Sequence, residues 1–110
     1  MKIIDIKTQD IRFPTSKDNL GTDAVHVDCD YSATYVTIFT DQKDLTGIGL
    51  TFTIGKGNDL CCTVIEYFKE FIIGKNVEEI EKDIASIWEK ITNHSQLRWV
   101  GPQKGVTHLA

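Results

Sequence analysis

The N-terminal segment of the chain alternates apolar and polar residues, as expected of a β-strand with one buried face. Ile4 and Ile6 fall on one face of that strand, whereas Ile11 and Phe13 fall on the other. This change of phase predicts a bulge or bend within a long first strand. Pro14 has no backbone N–H to donate to a sheet, so it ends the strand.

Two further strands are predicted after a long polar segment. Residues 32–40 are rich in β-branched and aromatic side chains, which favour strands. In residues 47–54, large apolar side chains alternate with glycine and threonine, so one face is apolar and the other is small. Because only a short turn, residues 41–46, joins these segments, they predict an antiparallel hairpin that the first strand extends to a meander.

Helical periodicity replaces alternation in the second half of the chain. Asn58 or Asp59 can cap a first helix, which Gly74 ends. A second helix is predicted from Asn76 to Asn93. The buried stripes are predicted to be Leu60, Val64, Tyr67, Phe68, Phe71 and Ile72 in the first helix and Val77, Ile80, Ile84, Ile87, Trp88 and Ile91 in the second.

This order of elements predicts an α+β fold, a three-stranded antiparallel meander followed by a helical bundle. The 110 residues suit a single domain. The loop 14–31 is long for a compact domain, and loops of that length are typically functional. Residues 106–110 look like the start of a helix, which indicates a chain truncated before its next element.

Composition and charge argue against several functional classes. The formal net charge is −4 and the basic residues are scattered, so there is little attraction for nucleic acid or an anionic membrane. The N-terminus resembles neither a signal peptide nor a membrane span. The chain has three cysteines, an odd number, and no C-x-x-C motif; they are Cys29, Cys61 and Cys62. This pattern argues against a disulfide framework or a zinc site, and it favours a cytoplasmic location.

Two short motifs could carry chemistry. His26-x-Asp28-x-Asp30 would place three metal ligands on one face of a strand, but aspartates in loops usually bond their own backbone. The Gly55-Lys56-Gly57 turn precedes the first helix, where free N–H groups and the lysine attract anions. The simpler interpretation is a turn whose glycines allow its backbone angles. No Ser-His-Asp or Cys-His pairing can be placed on neighbouring elements.

Four ungapped strings carry a resemblance to a known family. They are residues 10–16 (DIRFPTS), 30–36 (DYSAxYV, in which position 34 is not part of the match), 51–57 (TFTIGKG) and 95–106 (SQLRWVGPQKGV). In this order they resemble the L-fuconate dehydratases. These are enolase-superfamily enzymes of the mandelate racemase and muconate lactonizing enzyme type. The resemblance implies that residues 1–110 are an N-terminal domain capping the mouth of a catalytic barrel, which this chain lacks.

The resemblance also implies a reaction for the whole protein. In the family, the barrel supplies the ligands of Mg²⁺, a lysine base and a histidine that acts as acid and base. The base removes the proton α to the substrate carboxylate, and the β-hydroxyl group leaves. The protein would be a lyase that converts L-fuconate to 2-keto-3-deoxy-L-fuconate and water. The 110-residue chain alone is expected to be inactive, with no catalytic residue and no metal ligand of its own.

The resemblance places the sugar acid against the loop 14–31. It implies substrate contacts at Gly21, Thr22, Asp23 and Tyr31. Glycine allows close backbone approach, Thr22 and Asp23 can hydrogen-bond sugar hydroxyls, and Tyr31 offers a ring face and a hydroxyl. Thr22 stands where the family usually has a smaller residue. The alternative for all four is a loop organised by Asx-turns.

A second hypothesis belongs to a different functional class. The chain would be a stand-alone, non-catalytic module that self-associates or binds a protein partner. Without a barrel, Trp99, Val100, Val106 and Leu109 would form an exposed apolar edge, and such patches favour oligomers. The expected partners are therefore the sugar-acid substrate under the first hypothesis, and a second copy or another protein under the second.

Overall fold

Residues 1–96, which the computed structural model describes, fold as a sheet followed by helices. The α+β prediction of three strands followed by helices is thereby confirmed. Within these residues, no helix is both long enough and apolar enough to cross a membrane. The elements are β1 (Ile3–Ile11), a short 3-10 helix (Thr15–Asp18), β2 (Ser32–Thr40), β3 (Thr46–Thr53), α1 (Asn58–Ile72), α2 (Val77–Lys82) and α3 (Ile84–Thr92).

The sheet is the predicted antiparallel meander, with the strands in the order β1-β2-β3. Its register places Thr8 of β1 beside Val36 of β2, and Val36 beside Gly49 of β3. Residues paired in this way point to the same face of the sheet. The loop after β1 and the turn after β3 therefore lie at the same end of the sheet, where β2 begins.

The irregularity in β1 lies elsewhere than predicted. The register shifts between Ile3 and Asp5, and from Asp5 to Ile11 the residues pair one to one with β2. The extra residue at the shift allows both Ile3 and Ile6 to be buried, although their parity differs. Ile4, predicted to share a face with Ile6, is instead 53% exposed.

The core lies between the sheet and one face of α1. That face contains Cys61, Ile65 and Phe68, all of which are buried. The predicted stripe is wrong at Leu60 and Tyr67, which are 68% and 58% exposed. Apolar residues lie on more than one face of this helix. The face that begins at the buried Asn58 is the one that packs against the sheet. The buried core cluster is formed by Ile3, Ile6, Val36 and Ile65.

The predicted second helix is two helices. α2 and α3 meet at Asp83, whose backbone angles, φ −144° and ψ 54°, are not helical. The Asp83 carboxylate accepts a hydrogen bond from the Ser86 backbone N–H at 3.2 Å and so caps α3. A single helix from Asn76 to Asn93 is therefore wrong because a side-chain cap competes with helix continuation at this position.

The apolar face of β3 points away from the helices. Ile48, Leu50, Phe52 and Ile54 are between 49% and 73% exposed. Thr51, on the opposite face, is buried. The predicted division of β3 into an apolar and a small face is observed, with the small face turned toward the helices. The predicted apolar edge at Trp99, Val100, Val106 and Leu109, and the predicted helix start at 106–110, lie outside the described residues.

Candidate functional site

The candidate site is the end of the sheet where the loop 14–31 meets the turn 54–57. The two segments touch directly, because the Asp30 backbone N–H donates a hydrogen bond to the Ile54 carbonyl at 3.2 Å. Gly55 lies so close to Asp30 that a Cβ atom there would be 3.0 Å from the Asp30 Cβ. Gly55 and Gly57 both have positive φ, 114° and 103°, so the turn uses glycine for its backbone angles, as the simpler interpretation predicted.

Asn58 fixes this end of the sheet to the start of α1. Its side chain is fully buried, and its Nδ2 group donates to Asp10 Oδ1 at 2.8 Å, to the Ile11 carbonyl at 3.2 Å and to the Ala33 carbonyl at 3.3 Å. The Asn58 Oδ1 atom accepts from the Thr53 hydroxyl. An amide group has only two N–H hydrogens, so one of them is shared between two acceptors. Asn58 thus joins the ends of all three strands.

Asn58 does not cap α1, in contrast to one of the two sequence-based alternatives. The N-cap position is Gly57, and no side chain makes a capping hydrogen bond there. The side chain of Asn58 instead points into the end of the sheet, where it contacts Asp10. Sequence analysis missed this role, and the only available signal was an asparagine directly after a glycine turn.

Arg12 and Asp10 form a bidentate pair beside Asn58. Arg12 Nε donates to Asp10 Oδ1 at 2.9 Å and Nη2 donates to Oδ2 at 2.8 Å. The hydrogen bonds from Arg12 and from Asn58 hold the pKa of Asp10 below its ordinary value. Asp10 therefore stays ionised and acts as an acceptor for both neighbours, which also orients Arg12 at the start of the loop.

Hydrogen bonds between the two ends of the loop close its base. Asp30 Oδ1 accepts from the Ser16 hydroxyl at 2.6 Å and from the Ser16 backbone N–H at 3.1 Å, and these bonds lower the pKa of Asp30. The Thr15 hydroxyl donates to the Cys29 carbonyl at 2.9 Å and accepts from the Tyr31 N–H at 3.1 Å. Residues 15–16 and 29–31 are thereby held together as the neck of the loop.

Gly21 and Tyr31, two of the four predicted substrate contacts, touch each other. The Tyr31 hydroxyl donates to the Gly21 carbonyl at 2.5 Å. Gly21 has a φ of 72°, and a Cβ atom at this position would overlap the Tyr31 ring. The close approach that glycine permits here is to Tyr31. The same ring lies 5.6 Å from the Phe52 ring, centroid to centroid, and so connects the loop to β3.

Thr22 and Asp23, the other two predicted contacts, are hydrogen-bonded within the loop. The Thr22 hydroxyl donates to the Asn19 carbonyl at 3.0 Å. Asp23 Oδ1 accepts from the backbone N–H groups of Val25 and His26 at 2.8 Å and 2.7 Å. This is the Asx-turn arrangement that the alternative interpretation described. Asp23 remains exposed, so its second carboxylate oxygen faces solvent and the His26 ring.

The backbone bonds to Asp23 predict a low titration midpoint. The His26 and Val25 N–H groups, with the His26 ring, lower the pKa of Asp23 to about 2. The folded pKa lies below the ordinary aspartate value of about 3.9. The hydrogen bonds of the turn therefore contribute their full stability above about pH 3.9, and this contribution is lost as the pH falls through 2. We expect the Val25 and His26 amide signals in ¹⁵N NMR spectra to shift with a midpoint near pH 2. An Asp23→Asn variant should lack this transition, and a midpoint near 4 would contradict the assignment.

Substitution of Gly21 tests the contact with Tyr31. Gly21→Ala should displace the Tyr31 ring, so we expect NMR contacts between the rings of Tyr31 and Phe52 to disappear. Gly74→Ala is the matched control, since Gly74 also has positive φ, 84°, but has open space at its Cβ position. The control should lower the free energy of unfolding by about 1 kcal/mol and leave the ring contact intact. Equal effects of the two variants on the ring contact would refute the close approach.

The two sequence motifs do not converge on a ligand. His26 bonds to Asp23 and Asp30 bonds to Ser16, so of the motif His26-x-Asp28-x-Asp30 these two side chains are engaged within the loop, as the simpler interpretation predicted. Within residues 1–96, no group of three His, Cys, Asp or Glu side chains is arranged to hold a metal ion. Lys56 is exposed and makes no ion pair with any other residue in this range.

Known proteins match the chain along nearly its whole length. No family model matches it. L-galactonate dehydratase of Hypocrea jecorina is 44% identical over 108 residues, which is 98% of this chain and 24% of that protein. Mitochondrial enolase superfamily member 1 of Xenopus laevis is 46% identical over 110 residues, 99% of this chain and 25% of its own length.

Solved structures agree with these sequence matches. The crystal structure of human mitochondrial enolase superfamily member 1 has a TM-score of 0.90 and 41% identity, covering 97% of this chain and 24% of that one. The chain corresponds to the N-terminal domain of enolase-superfamily proteins. A mandelate racemase/muconate lactonizing enzyme from Polaromonas sp. JS666 shares the fold of this enolase-superfamily domain, with a TM-score of 0.59 and 17% identity.

The chain spans about a quarter of the length of the curated relatives that it matches. The sequence matches and the human structure confirm the superfamily that was named from the sequence strings, together with the fold of its capping domain. These matches do not show that the chain belongs to the fuconate dehydratase branch of the superfamily. The relatives comprise an L-galactonate dehydratase and enolase-superfamily members.

Proposed function

We propose that this chain is the substrate-enclosing domain of a sugar-acid dehydratase whose substrate is L-fuconate. In this proposal the whole protein forms 2-keto-3-deoxy-L-fuconate and water, and it works in the cytoplasm. The domain contributes the wall of the site, and the groups that carry out the chemistry lie in a longer protein. A further copy of that protein is the proposed homo-oligomeric partner.

The observation that carries the proposal is the joined surface formed by the loop 14–31 and the turn 54–57. The loop is exposed over most of its length, yet its two ends are bonded to each other through Tyr31 and Thr15, and Asp30 bonds to Ile54 directly after β3. A fixed but exposed polar loop presents hydroxyl, carboxylate and backbone groups to a ligand without a large cost of ordering on binding. A sugar acid, which carries several hydroxyls, suits such a surface.

Each of the four loop residues has a role in this proposal. The Val25 and His26 amides bond to Asp23 Oδ1, and the exposed Oδ2, which contacts the His26 ring, is the oxygen that would accept from a sugar hydroxyl. Thr22 can turn its hydroxyl from the Asn19 carbonyl to the ligand. Gly21 and Tyr31 act together, since the hydrogen bond between them sets the position of the ring beside the ligand.

Magnesium is part of the proposal only for the whole protein. When bound in such an enzyme, Mg²⁺ supplies positive charge that stabilises the negative charge formed on removal of the proton α to the carboxylate. Among residues 1–96, no group of three His, Cys, Asp or Glu side chains is arranged to hold a metal ion, and the proposal places the metal ligands elsewhere in the whole protein. Its own contribution is to bind and orient the sugar acid and to exclude water.

The test is an assay for 2-keto acid with the longest protein that the gene encodes. L-Fuconate and L-galactonate, which differ only by a hydroxyl at C6, are supplied with Mg²⁺. We expect product from the whole protein, with the higher kcat/KM for L-fuconate, and none from the 110-residue chain. Product from the short chain would contradict an enclosing role, and no product from any sugar acid would contradict the dehydratase.

Variants of the loop test its contact with substrate. Tyr31→Phe removes the bond to Gly21 and is expected to raise KM about tenfold, equal to 1.4 kcal/mol of lost binding. Tyr67→Phe is the matched control, because Tyr67 is an exposed tyrosine on α1. An unchanged KM in Tyr31→Phe would show that the loop does not meet the sugar acid.

One observation favours the second candidate, a module that self-associates. The exposed face of β3 carries Ile48, Leu50 and Phe52, and contiguous exposed apolar groups on a sheet are typical of contact surfaces. Light scattering of the 110-residue chain distinguishes the two cases. A dimer that Leu50→Lys converts to a monomer would support the module, and a monomer at all concentrations would eliminate self-association.

A further inference from the structure

The imidazole ring of His26 is held in the loop by one of its two nitrogens. Its Nδ1 atom lies 3.2 Å from both carboxylate oxygens of Asp23. The backbone is fixed as well, because the His26 N–H donates to Asp23 Oδ1 at 2.7 Å and the His26 carbonyl accepts from the Asp23 N–H at 3.0 Å. The thiol of the buried Cys29 also donates to this carbonyl, at 3.6 Å. The ring therefore has a fixed position on a largely exposed loop.

Asp23 also decides which nitrogen of the neutral imidazole carries the hydrogen. Hydrogen bonds from backbone N–H groups and from the His26 ring lower the pKa of Asp23 to about 2, so its carboxylate is ionised at neutral pH and can only accept. Nδ1 must then be the donor of the pair, which leaves Nε2 unprotonated with its lone pair available. Carboxylates fix the tautomer of histidines in the same way at catalytic and metal sites.

The Nε2 atom is the free end of this histidine–aspartate pair. The side chain of His26 is 51% exposed, and within residues 1–96 its ring forms hydrogen bonds only through Nδ1. An unprotonated imidazole nitrogen accepts a hydrogen bond but cannot donate one. The group that Nε2 fits is therefore a donor, such as a hydroxyl group.

We propose that His26 Nε2 accepts a hydrogen bond from a hydroxyl group of the bound sugar acid, and that Asp23 is the positioning residue of this contact. The inference rests on the function proposed above and adds a fifth residue to the four named there. One imidazole–carboxylate unit then holds two acceptors, Nε2 and Asp23 Oδ2, which suits a ligand with several hydroxyl groups.

The charge of the loop favours a hydroxyl over a carboxylate as the group bound here. Residues 14–31 contain four aspartates and one lysine, a formal charge of −3. A ligand carboxylate brought beside Asp23 would meet a like charge, and it has no hydrogen to donate to Nε2. The inference therefore assigns the polyol part of the sugar acid to His26 and Asp23.

The first measurement is the tautomer of His26, which does not depend on any enzyme activity. The 110-residue chain with ¹⁵N-labelled histidines is studied by NMR at about pH 8.5, where an ordinary imidazole is neutral. We expect the hydrogen of His26 on Nδ1, and we expect Asp23→Ala to abolish this preference. His94 is the internal control, because its Nδ1 accepts from the Gln96 N–H at 3.3 Å and its hydrogen should be on Nε2. A His26 ring protonated at Nε2 overturns the inference, whatever the whole protein catalyses.

Two substitutions of His26 separate contact with the substrate from support of the loop. Asparagine places a donor near the position of Nδ1 but has no group at the position of Nε2, whereas glutamine reaches that position with an acceptor. In the whole protein we expect His26→Asn to raise the KM for L-fuconate about tenfold and His26→Gln about threefold, with kcat nearly unchanged in both. A purely structural role predicts the reverse order, because only asparagine can keep the bond to Asp23.

His94→Asn is the matched control for these kinetic measurements. His94 lies beyond α3, outside the loop, and this variant should leave the KM unchanged. In a protein that dehydrates L-fuconate, an unchanged KM in His26→Asn, or a higher KM in His26→Gln than in His26→Asn, overturns the inference and leaves the proposed function intact. A whole protein that dehydrates no sugar acid overturns both.

Discussion

Replacing Asn58 with alanine is expected to lower the free energy of unfolding by about 3 kcal/mol. The side chain is fully buried and bonds to Asp10, to two backbone carbonyls and to Thr53. Its loss leaves several of these groups without a partner in a place that water does not reach, and each such group costs about 1–3 kcal/mol. Urea denaturation followed by circular dichroism measures the change.

Asn93→Ala is the matched control for this prediction. Asn93 is an exposed asparagine after the last residue of α3, and no hydrogen bond of its side chain is found among residues 1–96. We expect this variant to change the free energy of unfolding by less than about 0.5 kcal/mol. If both asparagine variants were equally stable, the Asn58 network would have no part in holding the sheet end together.

The second large effect is expected from Ile65→Ala in the core. Ile65 is buried in one cluster with Ile6 and Val36, so truncation removes apolar contacts and leaves a cavity. We expect a loss of about 3 kcal/mol in the free energy of unfolding. Leu60→Ala on the same helix, at a largely exposed position, should cost less than about 0.5 kcal/mol. A larger loss for Leu60→Ala would restore the helix face that was predicted from the sequence alone.

The strands were more predictable than the helices. β2 occupies residues 32–40 as predicted, because a run rich in β-branched and aromatic residues favours a strand over a helix. In α1 the periodicity fits two faces, one through Leu60 and one through Cys61, and only packing against the sheet decides between them. At Asp83, a local capping bond ends α2 although the apolar stripe continues past it.

The candidate site was also only partly predictable from the sequence. The loop 14–31 was predicted from its polar composition, and Gly21 and Tyr31 were named from the family resemblance; the structure brings these two residues together. Whether they meet a substrate stays a prediction. Asn58 could not be found from the sequence, because its partners include backbone carbonyls of Ile11 and Ala33, which no side-chain pattern encodes.

The position of Asn58 has a consequence for the order of folding. The bonds that its amide N–H groups donate join residues that are 25 to 48 positions apart in the chain, so both hairpins and the start of α1 must be in place before they form. Contacts of such long range carry the largest loop-closure entropy and form late in folding. The loop end of the sheet thus acquires its geometry only in the completed domain, and a partly synthesised chain cannot present it.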